Sequence, residues 1–172
     1  MRKILHSGHF LDLVDVDTWE FVERRRCSGV VVIIPITRDG EIVLIEQFRP
    51  ALQKRIVELP AGLVGDDHAP DEDPAIAARR ELVEETGFDT NEPLVRLTEG
   101  PTSSGLTSET VIFFHAGDVE KVGDGGGVSG EDIEVHVVPV RGTREWLKSR
   151  ENETTLVDPK VYAGLWLVGP RR

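Results

Sequence analysis

The sequence has little of three things that would otherwise decide its class. It has a single cysteine, Cys27, in 172 residues, which excludes an internal disulfide. No apolar run approaches the length of about 18 residues that suggests a membrane-spanning helix. Basic residues are also few, since 20 Lys and Arg stand against 31 Asp and Glu, for a formal charge of -11. This charge argues against non-specific binding to nucleic acid or anionic lipid, and a small anionic substrate would need a local cationic site or a metal.

The stretch at 1–17, "MRKILHSGHFLDLVDVD", is a poor signal peptide because charges interrupt its apolar residues. We therefore expect a cytoplasmic protein with no membrane and no nucleic-acid partner. The length fits one domain that buries its own core, with at most a small appendage.

Strand and helix patterns alternate along the chain. The β-branched run 29–36 is typical of a strand buried on both faces, and Asp39-Gly40 marks a turn to a paired strand over 42–48. The glycine-rich run 125–127 lacks the Lys-Ser/Thr of a phosphate-binding loop, so we interpret it as a flexible linker. The whole pattern predicts an α/β sandwich with a mixed sheet. Its other predicted elements are edge strands within 10–16 and 18–26, strands within 93–100, 109–118 and 131–140, and helices within 143–150 and 158–168.

Residues 75–88, "AIAARRELVEETGF", are predicted to form a capped helix. Asp73 can act as N-cap, Pro74 suits the first helical position, and Gly87 supplies the left-handed residue at the end. On a helical wheel the apolar side chains gather on one side, and these are Ala75, Ile76, Leu82 and Val83.

The opposite side of this helix carries Glu81, Glu84 and Glu85 within about 100° of arc. Like charges at such spacings cost a few tenths of a kcal/mol per pair, so a bound cation would relieve them. Hard oxygen ligands suit Mg²⁺ or Mn²⁺. On helix physics alone, a solvated acidic face partly neutralised by Arg79 and Arg80 is the favoured explanation.

The wider pattern decides between these readings. Glu72, seven further residues and then "RELVEETGF" over 80–88 resemble the Nudix box. Gly62 in "ELPAGL" corresponds to the leading glycine of the box, with about four extra residues in the loop, because the usual spacing falls on Asp66. The resemblance implies a Nudix α/β/α sandwich with a mixed sheet, to which the chain adds a small amino-terminal β appendage.

Other segments narrow the resemblance to a subgroup. "VLIEQFRP", "VELPAGL", "EDIEVHVVPV" and "VDPKVYAGLWLV" are similar to the ADP-ribose and ADP-sugar pyrophosphatases. This implies Mg²⁺-dependent hydrolysis, with Mn²⁺ as an alternative ion, of the diphosphate of ADP-ribose or a related ADP-sugar to AMP and a sugar phosphate. "GGGVSGEDIEV" is also similar to bacterial GDP-mannose hydrolases, so GDP-mannose or another nucleotide sugar is the alternative substrate. A non-catalytic nucleotide-binding module is a further alternative, although such modules usually lose box glutamates.

The resemblance implies metal ligands and catalytic groups. It assigns metal binding to the Ala61 carbonyl, Glu81, Glu85 and Glu131. Glu84 contributes through water, and Arg80 pairs with the box carboxylates and holds them in place. Glu131 follows the glycine-rich loop, which could move it in and out of the site.

The resemblance also implies a nucleotide site that two chains share. Residues 1–26 form an amino-terminal β segment for dimerisation and base binding, and residues 27–172 form the Nudix hydrolase domain. The expected product is a homodimer in which each amino-terminal segment helps to shape the partner's site. The residues matched to substrate contacts are Phe10, Trp19, Glu20, Arg24, Arg49 and Glu58.

One departure concerns the general base. In several bacterial ADP-ribose enzymes a second glutamate, taken as the base, lies two positions before the one that matches Glu131, and here that position is Ser129. Glu131 is the nearest carboxylate on the loop, while Glu109 lies on a separate loop and Glu134 begins the following strand. We expect Glu131 to take the role, unless a metal lowers the pKa of the bound water enough to make a strong base unnecessary.

Overall fold

The computed structural model describes residues 1–65, 71–128 and 130–169. The chain begins with an antiparallel three-stranded sheet in the order β1-β2-β3. The sequence predicted two edge strands here, and the structure adds a third ahead of them. The strands are β1 (Arg2–Ser7), β2 (Leu11–Val16) and β3 (Trp19–Arg24).

A larger mixed sheet and three helices make up the rest of the fold in the described residues. Its strands are β4 (Gly29–Thr37), β5 (Glu41–Arg49), β6 (Lys54–Glu58), β7 (Ala61–Val64), β8 (Phe88–Asp89), β9 (Val95–Pro101), β10 (Thr110–Lys121), β11 (Ile133–Pro139) and β12 (Thr155–Val157). The helices are α1 (Pro74–Thr86), α2 (Thr143–Arg150) and α3 (Pro159–Val168), with a short 3₁₀ turn at Val140–Gly142.

The sheet consists of two parts that meet near one turn. In the first part β4 runs parallel to β10 and antiparallel to β7, and in the second β5 runs antiparallel to β11 and β6. The predicted β4–β5 hairpin is formed only at the pair Ile36–Ile42 beside the turn. The strands separate beyond that pair because β7 occupies the rest of that edge of β4 and β6 occupies the matching edge of β5. The cleft described below opens on the β7 and β6 side of this separation.

Strand β4 explains the layering of the fold. Val31 and Ile33 belong to the apolar cluster that includes α1, whereas Val32 and Ile34 belong to the cluster that includes α2 and α3. All four side chains have no exposed surface, as expected for a strand covered on both faces. The predicted α/β/α sandwich with an amino-terminal β appendage is confirmed. No helix within the described ranges is long and apolar enough to cross a membrane.

Helix α1 has the predicted ends, but one residue of its apolar side is exposed. The Asp73 carboxylate accepts a hydrogen bond from the Ala75 N–H, and Gly87 ends the helix with φ of 70°. Ile76, which the wheel groups with the other apolar side chains, is 64% exposed. The helix instead turns its small side chains and part of its acidic face toward the sheet, burying Ala77, Ala78, Leu82, Glu85 and Thr86.

Candidate active site

A cleft of 870 Å³ lies between α1, the strands β4 to β7 and the loop that precedes β11. Acidic side chains outnumber basic ones along its walls, so the cleft favours cations. The acidic residues that line it are Glu58, Glu72, Glu81, Glu84, Glu85, Glu109 and Glu131, and the basic ones are Arg24, Arg49, Arg80 and Lys160.

Small residues bring α1 close enough to β7 to form this wall. Ala77 and Ala78 have no exposed surface where the helix meets the sheet. Across from the helix, a Cβ at Gly62 would collide with the carboxylate of Glu81. Only glycine at position 62 therefore leaves the Glu81 side chain in its present place, which gives a steric reason for the glycine predicted from the box.

Glu85 is the most deeply buried acid of the cleft, with 6% of its surface exposed. Its Oε2 accepts a hydrogen bond from the Ala61 N–H at 2.9 Å. Burial and the nearby carboxylates of Glu81 and Glu131 raise the pKa of Glu85 to about 8, although the Ala61 N–H and Arg49 act in the opposite direction. The cleft thus holds a carboxylate whose negative charge is poorly compensated by the protein.

Arg80 bridges the other acids of the helix. Its Nη1 donates to Glu81 Oε1 at 2.8 Å and to Glu84 Oε2 at 3.2 Å, while its Nε donates to Glu72 Oε1 at 3.1 Å. Its Nη2 also donates to the Leu63 carbonyl at 3.1 Å. These bonds fix the guanidinium against β7, so Arg80 can hold the box carboxylates in a fixed orientation. Burial still raises the pKa of Glu81.

The glycine-rich run is docked on the end of α1. Gly126 N–H donates to the Glu85 carbonyl and Gly127 N–H donates to the Glu84 carbonyl, both at 2.9 Å. All three residues of 125–127 have φ between 70° and 96°, which suits glycine. We interpreted this run as a flexible linker, and that interpretation is wrong, since the run caps the last carbonyls of the acidic helix. The three glycines indicated an unusual backbone conformation, but nothing in the sequence indicated that the run hydrogen-bonds to α1.

Glu131 lies at the far end of the same loop. Its Oε2 accepts a hydrogen bond from the Val128 N–H at 2.8 Å, and its charge raises the pKa values of both Glu81 and Glu85. The structure therefore brings Glu131 into the cleft beside the helix acids. Ser129, which replaces the second glutamate, lies outside the described residues.

The opposite wall of the cleft carries an ion pair. Arg49 Nε donates to Glu58 Oε2 at 2.8 Å, and Glu58 is 8% exposed. Burial raises the pKa of Glu58 more than Arg49 lowers it. Lys160, at the start of α3, also lines this wall, and sequence reasoning missed it. The sequence did indicate the position of Lys160 in the chain, because the N-cap pattern at Asp158 places it in the first turn of a predicted helix.

Of the nucleotide contacts predicted in the amino-terminal segment, one lies at the cleft and three do not. Arg24 lines the cleft and its Nε donates to Glu109 Oε2 at 2.8 Å. Phe10 and Trp19 are 70% and 61% exposed, and like Glu20 they are absent from the walls of the cleft in this chain. The fold of one chain does not bring these three side chains to the site.

A second group of possible metal ligands lies on β5 and β11. Glu46, Glu134 and His136 are the group, within the described part of the chain, whose ligand atoms all lie within 4.8 Å of one another. Glu46 already accepts hydrogen bonds from Arg55 at 2.9 Å and from Arg150 at 2.5 Å. A divalent cation would be repelled by two guanidinium groups at this distance, so the group does not fit a metal.

The cleft fits a divalent cation better, although its carboxylates are more widely spaced. The carboxylates of Glu81 and Glu84 accept hydrogen bonds from Arg80. The carboxylate of Glu85 accepts one from the Ala61 N–H, and that of Glu131 accepts one from the Val128 N–H. The donor set is all oxygen and carries more negative charge than the nearby arginines neutralise, which matches the preference of Mg²⁺ and Mn²⁺. Substrate phosphates can complete such a site.

Comparison with known proteins agrees with this geometry. The model of the NUDIX domain family matches residues 26–156. The chain is 33% identical over 157 residues to the ADP-ribose pyrophosphatase of Bacillus subtilis (strain 168), covering 87% of this chain and 82% of that protein. It is also 33% identical over 143 residues to the GDP-mannose pyrophosphatase of Escherichia coli (strain K12), covering 77% of this chain and 72% of that protein.

Among solved structures, a crystal structure of an ADP compounds hydrolase superimposes with a TM-score of 0.73. The overlap covers 98% of this chain and 89% of that chain, at 19% identity, and it supports the fold alone.

Proposed function

This chain belongs to the NUDIX domain family and is a pyrophosphate-hydrolysing enzyme, and on that premise we propose that it cleaves the diphosphate of ADP-ribose or a related ADP-sugar. The products are AMP and a sugar phosphate, and the reaction depends on Mg²⁺, with Mn²⁺ as a substitute. The observation that carries the proposal is the crowding of poorly compensated carboxylates around Glu85, opposite Arg49. The B. subtilis relative, which matches most of this chain, supports the choice of substrate.

The residues proposed to hold the metal are the Ala61 carbonyl, Glu81, Glu85 and Glu131. When bound, a divalent cation neutralises charge on the diphosphate and lowers the pKa of a bound water to about 7 in favourable cases. Arg80 keeps the Glu81 and Glu84 carboxylates in place, so the ligands are oriented before the substrate arrives.

The remaining chemistry is assigned to the side chains of the cleft walls. Arg49 and Arg24 bind the diphosphate, where their fixed charges offset the repulsion from the acidic walls. Glu131 accepts the proton of the attacking water at a carboxylate oxygen, and Glu84 orients that water. Glu58 holds Arg49 at 2.8 Å and thereby fixes the side of the cleft on which the diphosphate lies.

We also propose that the working enzyme is a homodimer. Residues 1–26 form the amino-terminal β segment, residues 27–172 form the hydrolase domain, and Phe10, Trp19 and Glu20 of one chain contact the nucleotide in the partner's cleft. Support comes from the high exposure of Phe10 and Trp19 in the single chain and from their absence from the walls of their own cleft. Aromatic side chains exposed to this extent are better explained by a partner surface.

GDP-mannose is the second candidate substrate. The E. coli relative matches 77% of this chain at the same identity as the B. subtilis relative. The segment "GGGVSGEDIEV" lies on the loop that carries Glu131, so it could affect which sugar is accepted.

A phosphatase-coupled phosphate-release assay over a panel of nucleotide sugars tests the proposal. We expect ADP-ribose or another ADP-sugar to give the highest kcat/KM in Mg²⁺, and no turnover in excess chelator. Faster turnover of GDP-mannose would select the second candidate. Tight nucleotide binding without phosphate release from any substrate would reject catalysis and leave a nucleotide-binding module.

A further inference from the structure

The loop between β10 and β11 is attached to the protein at both ends. Near its start, Gly126 and Gly127 bond the carbonyls of α1. At its other end, the Asp132 carboxylate accepts a hydrogen bond from Arg55 Nη1 at 3.0 Å, immediately before β11 begins. Glu131 lies directly beside this second attachment. The start of the loop is thus positioned by α1, and its end is positioned by a side chain of β6.

Arg55 is itself held in one orientation. Its Nε donates to Glu46 Oε1 and its Nη2 donates to the Glu46 carbonyl, both at 2.9 Å. The guanidinium group is a rigid planar fork, so fixing two of its nitrogens also fixes the third, which points at Asp132. Glu46 is 2% exposed and is bonded by Arg150 as well. The contact with Asp132 therefore connects an exposed loop residue to a buried part of the sheet.

The energy of this ion pair alone does not explain its importance. The side chains of Arg55 and Asp132 are 29% and 85% exposed, and ion pairs between exposed side chains contribute little to stability. The Arg55–Asp132 ion pair matters because it fixes the position of the loop end. Within the described residues, the Glu131 carboxylate is hydrogen-bonded to Val128, which lies in the same loop. A bond inside the loop shapes the loop but cannot set the distance between Glu131 and the acids of α1.

We propose that Arg55, fixed by Glu46, is a positioning residue that holds Glu131 in the cleft through Asp132. This inference rests on the proposed function, in which Glu131 binds metal and accepts the proton. The resemblance that identified the box left Arg55 without a role. The adjacent Gly130, at φ of 101°, has no side chain that could hold the loop end in place.

Asp132→Asn is the sharpest test, because it removes only a charge from an exposed side chain and should not disturb folding. Arg55 is less suitable, since its loss would leave the buried Glu46 with one fewer partner. The matched control is Asp124→Asn, the same change on the same loop, where the described structure shows no ion pair. Asp132→Glu, which keeps the charge, is the conservative rescue.

We expect Asp132→Asn to lower kcat by about tenfold, the smaller end of what loss of a ligand's supporting partner costs, with KM changed less than about twofold. Asp132→Glu should recover most of kcat, and Asp124→Asn should match the wild type. In the metal-free protein, amide hydrogen exchange at Val128 and Glu131 should become faster in Asp132→Asn only. Thermal melts of all variants should coincide within about 1 °C, as expected for exposed positions away from special features.

Unchanged exchange and unchanged kcat in Asp132→Asn would overturn the proposal, as would equal losses in Asp132→Asn and Asp124→Asn. A separate result would expose failure of the proposed function. If Glu131→Gln were fully active, Glu131 would have no catalytic role, yet faster exchange in metal-free Asp132→Asn would still show that Asp132 holds the loop.

Discussion

Glu85 and Glu46 are glutamates of similar burial in two regions of one molecule, with opposite electrostatic surroundings. Glu85 is 6% exposed and Glu46 is 2% exposed. Burial raises the pKa of Glu85 to about 8, and neighbouring acids add to the effect. Burial also opposes ionisation of Glu46, but hydrogen bonds from Arg150 and Arg55 outweigh it, so the pKa of Glu46 is lowered.

The difference teaches that proximity of ligand atoms is a poorer guide to a metal site than the balance of charge. The group around Glu46 has the closer ligand atoms, yet its negative charge is already neutralised by arginines. The carboxylates around Glu85 are more widely spaced, but their negative charge is not neutralised by the protein. One region is a structural anchor, and the other is the candidate active site.

The largest expected effect comes from Glu85→Gln, which keeps the shape of the side chain and removes its charge. We expect kcat to fall by about 10³-fold, since loss of a metal ligand removes several kcal/mol of transition-state stabilisation. The fold should be kept or slightly stabilised, because a neutral amide suits this buried position at least as well as a carboxyl group whose pKa is raised to about 8. Steady-state kinetics and a thermal melt check both parts. Inactivation accompanied by equal destabilisation would mean that Glu85 has a structural role like that of Glu46.

The next effect separates the two acids that could serve as general base. Glu131→Gln should lower kcat by roughly 10²-fold with little change in KM, the pattern of an interaction made mainly in the transition state. Glu109→Gln should cost only about tenfold, because Glu109 is paired with Arg24 and lies on a separate loop. If Glu109→Gln proved the more damaging change, the base would belong on the loop 102–109.

Glu46→Gln should show the opposite pattern to Glu85→Gln in stability. Loss of the charge weakens the hydrogen bonds from Arg55 and Arg150, and we expect the free energy of unfolding to fall by about 2 kcal/mol. Urea denaturation of the two variants beside the wild type gives the comparison directly. Stability equal to that of the wild type would show that the arginines around Glu46 are satisfied by solvent.

The last expected effect is on the pH dependence of stability. The folded-state pKa of Glu85 is about 8 against an ordinary value of 4.5, so the folded protein keeps a proton that the unfolded chain releases. Metal-free protein should therefore lose stability as pH rises from 4.5 to 8, by up to about 1.4 kcal/mol per pH unit from this group. Glu81 and Glu58, whose pKa values are also raised, add slope of the same sign.

Glu46 should contribute in the other direction, because its pKa is lowered and its stabilisation is lost only as pH falls below the ordinary value of 4.5. Thermal melts in chelator, from below pH 4.5 up to pH 8, check the direction of both pH dependences. The slope between pH 6 and 8 should be reduced in Glu85→Gln and kept in Glu46→Gln. A wild-type slope that survives in Glu85→Gln would assign it to another group.

The sequence predicted local features, such as the ends of a helix, better than contacts between residues that are distant along the chain. Asp73 and Gly87 bound α1 as expected, and the box spacing pointed to the residues that the structure brings to one cleft. The wheel groups Ile76 with Leu82, yet Ile76 is exposed, and the acids of α1 instead face a cleft inside the molecule. The docking of Gly126 and Gly127 on α1 involves carbonyls, which carry no residue signature. Likewise, the partners of Arg55 lie 9 and 77 positions away, beyond any local pattern.

Mn²⁺ binding tests the central claim most directly, and it can be followed by the loss of the free-ion EPR signal in wild type, Glu85→Gln and Glu46→Gln. The account predicts that the wild type binds Mn²⁺, that Glu85→Gln binds at least about tenfold more weakly, and that Glu46→Gln binds within about twofold of the wild type. Unchanged binding in Glu85→Gln together with lost binding in Glu46→Gln would place the metal between Glu46, Glu134 and His136, and would contradict the account.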